Sequence, residues 1–404
     1  MNVRRSIGSF TTVLFLVVLL PGLAFSQRGL RIVKTDIPVA YKATIAVSDQ
    51  VIAFGTGFNT GVEYLKPGDK QAAKVPGSEN YSSKSLGVCG TKIILANTRN
   101  FTVAVFDTTD GSLKAIPEDV LRLRAITGDM HQGGGMQTSG NYAVAITDTT
   151  GSDSSAFKVI DVSGPEPKVI SFEGSGEIAN ARAVYRQVAI DAISGKVAAA
   201  GGMDYGINIF DIDAPDSEPK RFDVKSVNGV GTMQMRFDNG KILFQTGESY
   251  ARAFLLDTAT GKITEMSRAI YGLAFSGDTY VYFASRDSND NHGIIARAAV
   301  GKAGGQPKFS AGATGVGGSR NNGTVGFGSS AAVTSDGKRV FIAGTDAVGR
   351  TERFQLLGGS KFVLQPDRGN RPAFLLGSDV VASTKVVAFK TGTDNNTTLG
   401  YILL

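Results

Sequence analysis

The sequence contains no tryptophan, a single cysteine and only two histidines. One cysteine forms no internal disulfide and no cysteine-built metal site, so the fold must stand on packing alone. Without tryptophan, the aromatic platform on which a sugar ring stacks would fall to tyrosine or phenylalanine. Long helical patterns of alanine, leucine, glutamate and lysine are also missing. Blocks of like charge are absent, and basic and acidic residues alternate to a formal net charge of +6 at pH 7. So small an excess does not mark a nucleic-acid binder.

What is abundant is glycine, 51 of 404 residues, against a usual share of about 7%. Spread among short apolar runs, it implies many tight turns and an all-β architecture. The N-terminus reads as an export signal over residues 1–26. Arg4 and Arg5 precede the apolar stretch Val13–Leu20, Pro21 and Gly22 break it, and Ala24-Phe25-Ser26 presents small residues to a signal peptidase. Cleavage after Ser26 would leave a mature domain of residues 27–404. Removal of Arg4 and Arg5 from the +6 leaves +4. No later run is long and apolar enough to span a bilayer, so no membrane insertion is expected after cleavage. Localisation is therefore read as periplasmic or extracellular.

One strand type recurs eight times after a polar turn: VIAFG from Val51, KIILA from Lys92, YAVAI from Tyr142, KVAAA from Lys196, KILFQ from Lys241, YVYFA from Tyr280, RVFIA from Arg339 and KVVAF from Lys385. Successive starts lie 39 to 59 residues apart, the length of a four-stranded propeller blade at roughly 40 to 50 residues. A short apolar run precedes each strand, as in Leu273–Phe275, and a third strand ending in aspartate often follows, as in Val103–Asp107. The pattern predicts a single β-propeller of eight four-stranded blades, with seven as the alternative if a long repeat hides an insertion. The last repeat is read as Ala373–Leu376, Lys385–Phe389 and Leu399–Leu403, with no outer strand. A lone strand, Leu30–Lys34, opens the mature chain, and its pairing with the last blade would close the ring. Asp107, Asp161, Asp211 and Asp257 hold one position in four consecutive repeats. Carboxylates placed so regularly read as caps of the turns that follow, rather than as metal ligands.

The segments VAVFDTTDGSLK (Val103–Lys114) and AFLLDTATGKIT (Ala253–Thr264) resemble blades of YVTN-type and quinoprotein-like propellers. The resemblance implies architecture only, because propellers carry unrelated functions. Quinoprotein blades dock through tryptophans and WD-type repeats need Trp-Asp pairs, so neither pattern occurs here and no quinone cofactor is expected. The Asp-box turns of sialidase-type glycosidases are absent as well.

Three features fall on the face shared by the second-to-third-strand loops and the inter-repeat connectors. In ITGDMHQGGGM (Ile126–Met136), Asp129 would orient His131 as a general base beside three glycines. In RDSNDNHG (Arg286–Gly293), Asp287, Asn289 and Asp290 have the oxygen-rich look of a Ca2+ loop. They lack a closing glutamate and also read as a plain polar hairpin. Arginines recur in the connectors: Arg122 and Arg124, Arg182 and Arg186, Arg268, Arg320, Arg368 and Arg371. Guanidinium groups converging at a channel mouth would hold carboxylate, sulfate or phosphate. The glycine-rich segment Gly312–Ser330 lacks the Gly-Lys-Ser/Thr of a phosphate loop. Two function classes follow. One is a monomeric binding or scaffolding propeller for a protein or anionic ligand. The other is a hydrolase or lyase, lactonase-like, built around Asp129 and His131.

Overall fold

The computed structural model describes residues 32–40, 43–56, 61–81, 85–97, 100–123, 136–147, 157–172, 175, 185–201, 206–224, 232–246, 252–268, 270–276, 279–285, 293–299, 308–311, 330–333, 340–345, 352–358, 361–364, 380–393 and 396–404. The described strands form eight four-stranded antiparallel sheets, none of them closed on itself. The second sheet is representative, with strands Leu86–Cys89, Lys92–Ala96, Val103–Asp107 and Leu113–Ile116 paired in chain order. Each of the eight recurring segments is the second strand of its sheet, from Ile52–Gly55 in the first to Val386–Thr393 in the eighth.

These strands form because apolar runs such as Ile93–Ala96 and Val103–Phe106 bury every residue, which requires cover on both faces of the sheet. Fourth strands are more polar. Lys220–Asp223 buries only Phe222. Turns fix the register: between Asp238 and Lys241, Asn239 (φ 49°) and Gly240 (φ 70°) both take left-handed backbone, as a two-residue hairpin turn matched to strand twist requires.

The eighth sheet departs in detail from expectation. Its first strand is Val381–Ala382, whereas Ala373–Leu376 lies outside the described residues. A four-residue apolar run satisfies the strand pattern without specifying which segment pairs. The fourth strand comes from the other end of the chain, as Ile32–Pro38 pairs with Asn396–Leu403 through Ile32↔Ile402, Val33↔Tyr401 and Lys34↔Gly400. That strand runs past Lys34 to Pro38, and Leu30 and Arg31 lie outside the described residues. Thr35 Oγ1 donates to the Leu399 carbonyl at 2.7 Å, and the Val39 N–H donates to the Thr397 carbonyl at 2.9 Å.

The core lies between sheets. Val88, Ile93 and Phe106 of the second sheet pack on Val51, Ala53 and Val62 of the first. Cys89, Ile94 and Val105 meet Ala143 and Ile160 of the third. Third and fourth sheets share Phe157, Phe172 and Phe210, with ring centroids 4.9 to 5.7 Å apart. Fourth and fifth share Ile207, Met235 and Phe254. Val386, Leu399 and Tyr401 of the eighth sheet pack on Ile45, Ile52 and Phe54 of the first, and the Tyr401 hydroxyl donates to the Asp69 carbonyl at 2.9 Å.

At one end of the sheets lie the first-to-second and third-to-fourth turns, tied together by hydrogen bonds. The four repeated aspartates cap their turns. Asp107 accepts from the Thr109 N–H and hydroxyl, Asp161 from Ser163 N–H, Asp211 from Asp213 N–H, and Asp257 from Ala259 and Thr260 N–H, all at 2.7 to 3.1 Å. Neighbouring sheets are latched here as well. Ser48 Oγ donates to the Gly90 carbonyl at 2.6 Å, Ala192 N–H to Ser139 Oγ at 3.0 Å, and Lys220 Nζ to the Thr258 carbonyl at 3.0 Å. Asp49 accepts from Thr384 and Lys385 of the eighth sheet. Asp191, fully buried, accepts from Ile193 N–H, Ser194 Oγ and the Gly240 N–H of the next sheet, at 3.0, 2.6 and 2.7 Å.

Removing residues up to Pro38 is expected to bare the backbone edge of Asn396–Leu403. A lower melting temperature and concentration-dependent aggregation by light scattering should result. Asp191→Ala should cost about 2–3 kcal/mol in denaturant unfolding, because three donors lose one charged acceptor. Burial raises the Asp49 and Asp107 carboxyls, but hydroxyl and N–H donors outweigh it and hold both below the ordinary aspartate value; Lys196 does the same for Asp211. Carboxylates lowered in this way stabilise the fold at neutral pH and lose that contribution as pH falls through their native values. The melting temperature should therefore be flat near neutrality and drop below about pH 4, less steeply in Asp107→Asn combined with Asp211→Asn.

Candidate functional site

Antiparallel pairing places the second-to-third-strand loops and the inter-sheet connectors together at the end opposite the capped turns. The described part of this face is best defined around the second sheet. Its loop turns at Asn97, whose N–H donates to the Thr102 carbonyl at 2.8 Å while its Oδ1 accepts from the Asn100 N–H at 3.3 Å. Asn100 Oδ1 in turn accepts from the Thr102 hydroxyl at 2.9 Å. This polar network holds Phe101 at φ 61°. Left-handed backbone on a residue with a Cβ costs of order 1–3 kcal/mol.

The connector to the third sheet crosses that loop. The Leu123 N–H donates to the Phe101 carbonyl at 2.8 Å, and Leu123 bridges to Thr147. The Arg122 guanidinium lies 5.9 Å from the Phe101 ring centroid and pairs with Glu118 at 3.2 Å. Both charged side chains are about half exposed, at 51% and 53%, so the pair adds little stability and is open to exchange with a partner. Below them the buried Lys158 donates to the Val120 carbonyl at 2.6 Å.

Of the arginines expected to converge, Arg122 is thus on this face beside an acid of its own connector. Arg268 is the last residue of the fourth strand Ile263–Arg268, paired in register with Arg252, at the crossing into the sixth sheet. Arg186 sits in the first strand of the fourth sheet, Tyr185–Asp191. Arg124, Arg182, Arg320, Arg368 and Arg371 lie outside the described residues. So do Asp129 and His131, and Asp287, Asn289 and Asp290. Among the described residues no group of three histidine, cysteine, aspartate or glutamate side chains could hold a metal ion. Among them, too, no helix is long and apolar enough to cross a membrane. Burial pushes the Cys89 thiol up to about 12, which leaves it protonated and unreactive at neutral pH.

A second polar cluster lies on the first strands, away from the loops. Gln137 of the third sheet donates its Nε2 to the Met235 carbonyl of the fifth at 3.2 Å, reaching past the fourth sheet between them. Arg236 Nη1 donates to the same carbonyl at 3.0 Å. Burial lowers the Arg236 guanidinium from its ordinary value. Arg236 is not among the residues that the sequence pattern singles out. Its signal was a lone arginine inside an apolar first strand, MQMRF, where a strand buried on both faces should carry none.

Compared with known proteins, the chain matches no protein family and no curated protein sequence. Among solved structures it is similar to the GH74 xyloglucanase from Xanthomonas campestris, with a TM-score of 0.52 at 11% identity over 91% of this chain and 61% of that one. It is also similar to the β-propeller domain of the Trilobed protease from Pyrococcus furiosus, with a TM-score of 0.45 at 11% identity over 88% and 93% of the two chains. Identities this low speak to fold and leave activity aside. With its repeated four-stranded antiparallel sheets, the chain has the β-propeller fold.

Proposed function

We propose that the protein is an exported binding module, an eight-bladed propeller that presents its loop face to a protein or an anionic ligand. The eight sheets would be the blades, and Ile32–Pro38 the strand that completes the last of them and closes the ring. The pairing Val33↔Tyr401 and the packing of Tyr401 and Val386 on Ile52 and Phe54 support this. Export rests on residues 1–26 as read from the sequence.

The observation that carries the functional reading is the contrast between the two ends of the sheets. At the capped end, turns are short and their polar groups are used up on one another. At the other end a strained Phe101 is held under an exposed Arg122. Backbone strain kept at a loop tip by a dedicated network points to recognition more readily than to stability. An arginine over an aromatic ring, paired only with an exposed glutamate, suits a carboxylate or sulfate that can displace that acid.

Titration calorimetry of the purified protein with polygalacturonate and dextran sulfate tests this, with neutral dextran as the control. Binding to a polyanion should weaken with added salt and fall roughly tenfold in Arg122→Gln, and several-fold in Phe101→Ala. Absence of polyanion binding at low ionic strength, or equal affinity for neutral dextran, would defeat the anionic reading.

A further inference from the structure

The cluster on the first strands is a separate feature from the loop face. Arg236 alternates with Met235 and Phe237, both of which are buried and turn toward the fourth sheet, so strand geometry directs Arg236 to the opposite side. It keeps partial solvent exposure, although burial is the cause that lowers its basicity. Deep placement with retained surface is how a side chain on the wall of a narrow internal channel behaves. The Gln137 bond points the same way, since it joins the third sheet to the fifth. First strands of sheets that are not neighbours come this close only where they surround a common opening. Part-way across, the fourth sheet contributes the buried Gln187 to its own first strand.

Charge gives the chemistry. A guanidinium carries five N–H donors and no acceptor. Arg236 donates one bond to the Met235 carbonyl, and among the described residues no carboxylate pairs with it. Enclosing a cation without a counter-charge is costly, and proteins tolerate it mainly where something else supplies the negative charge. Gln137 anchors the same carbonyl, which braces Arg236 against the strand edge and leaves the rest of its planar fork for a ligand. We propose that Arg236, braced at the Met235 carbonyl with Gln137, is the seat of a small oxyanion, a carboxylate or a phosphate or sulfate group, inside the propeller channel. The inference rests on the ring arrangement proposed above, but not on the loop face being the binding surface.

The test is titration of the purified protein with sulfate, inorganic phosphate and succinate at constant ionic strength balanced with chloride, read by calorimetry and by thermal shift. At least one oxyanion should bind in preference to chloride. Which of the three does so separates a carboxylate ligand from a phosphate or sulfate one. Arg236→Gln should weaken that binding about tenfold or more, the loss of a charge-assisted fork, and Gln137→Leu several-fold with Arg236 intact. Arg236→Lys keeps the charge and removes the planar fork; it should fold even where the glutamine variant does not, and still lose most of the affinity. Lys168→Gln, an exposed change on the outer strand Lys168–Ser171 of the third sheet, should leave it unchanged. Oxyanions that bind no better than chloride overturn the proposal, as does binding that survives in Arg236→Lys. A loss found in Arg122→Gln instead would move the site to the loop face and overturn the channel seat while sparing the loop-face reading.

Discussion

Everything in this fold follows from sheets that are apolar on both sides. The strands Ile93–Ala96, Val103–Phe106 and Val197–Ala200 bury every residue, so neither face of their sheets tolerates water. Such a sheet needs two neighbours, and a linear row of them would always leave two faces bare. Each described cluster is shared by two sheets, from the first through to the fifth, and Val386 and Tyr401 of the eighth meet Ile52 and Phe54 of the first. Phenylalanine does the work that a larger aromatic performs elsewhere, with Phe157, Phe172 and Phe210 interleaved between the third and fourth sheets.

Satisfying both faces with apolar contact pushes the polar groups to the strand ends, where the two ends are used differently. At the capped end, each turn must satisfy its own backbone and also sit against the next turn. Asp107 and Asp257 cap theirs from the same place, with Thr108 and Thr258 donating to the Thr91 and Gly240 carbonyls at 2.9 and 2.7 Å. In the third and fourth sheets Val162 and Ile212 replace those threonines and keep only the backbone bond, to Asn141 and Gly195. Lys92 makes up the difference at the third sheet by reaching the Val162 and Gly164 carbonyls from the second. One geometric demand is met by different residues, which marks this end as structural.

Much of this was legible in the sequence because it repeats. The second strands stand out as apolar runs after polar turns, and the aspartate caps show by recurrence alone. The opening of the eighth sheet is instructive. Ala373–Leu376 looks as strand-like as Val381–Ala382, and composition cannot say which of two apolar runs will pair beside Val386–Thr393. The loop face was less legible. Nothing about Phe101 forecasts left-handed backbone, since that conformation is imposed by Asn97, Asn100 and Thr102 around it. Arg122 could be seen to lie in a connector, but its ring contact and its acid could not. Arg236 was hidden by the very regularity that revealed the strands.

That concealment bears on where function sits in a repeat fold. Residues that serve the repeat recur, and a residue serving a ligand has no reason to. The connector arginines look alike along the sequence, and Arg122 among them is matched with Glu118. Arg236 has no charged counterpart among the first strands that carry described side chains: Ala46, Gly87, Gln137 and Ala189, at the same register, are all neutral. A cation that breaks the pattern of a doubly buried strand lowers stability unless it is compensated. Among the described residues its compensation is a carbonyl shared with a glutamine from two sheets away, which satisfies one donor and supplies no opposite charge.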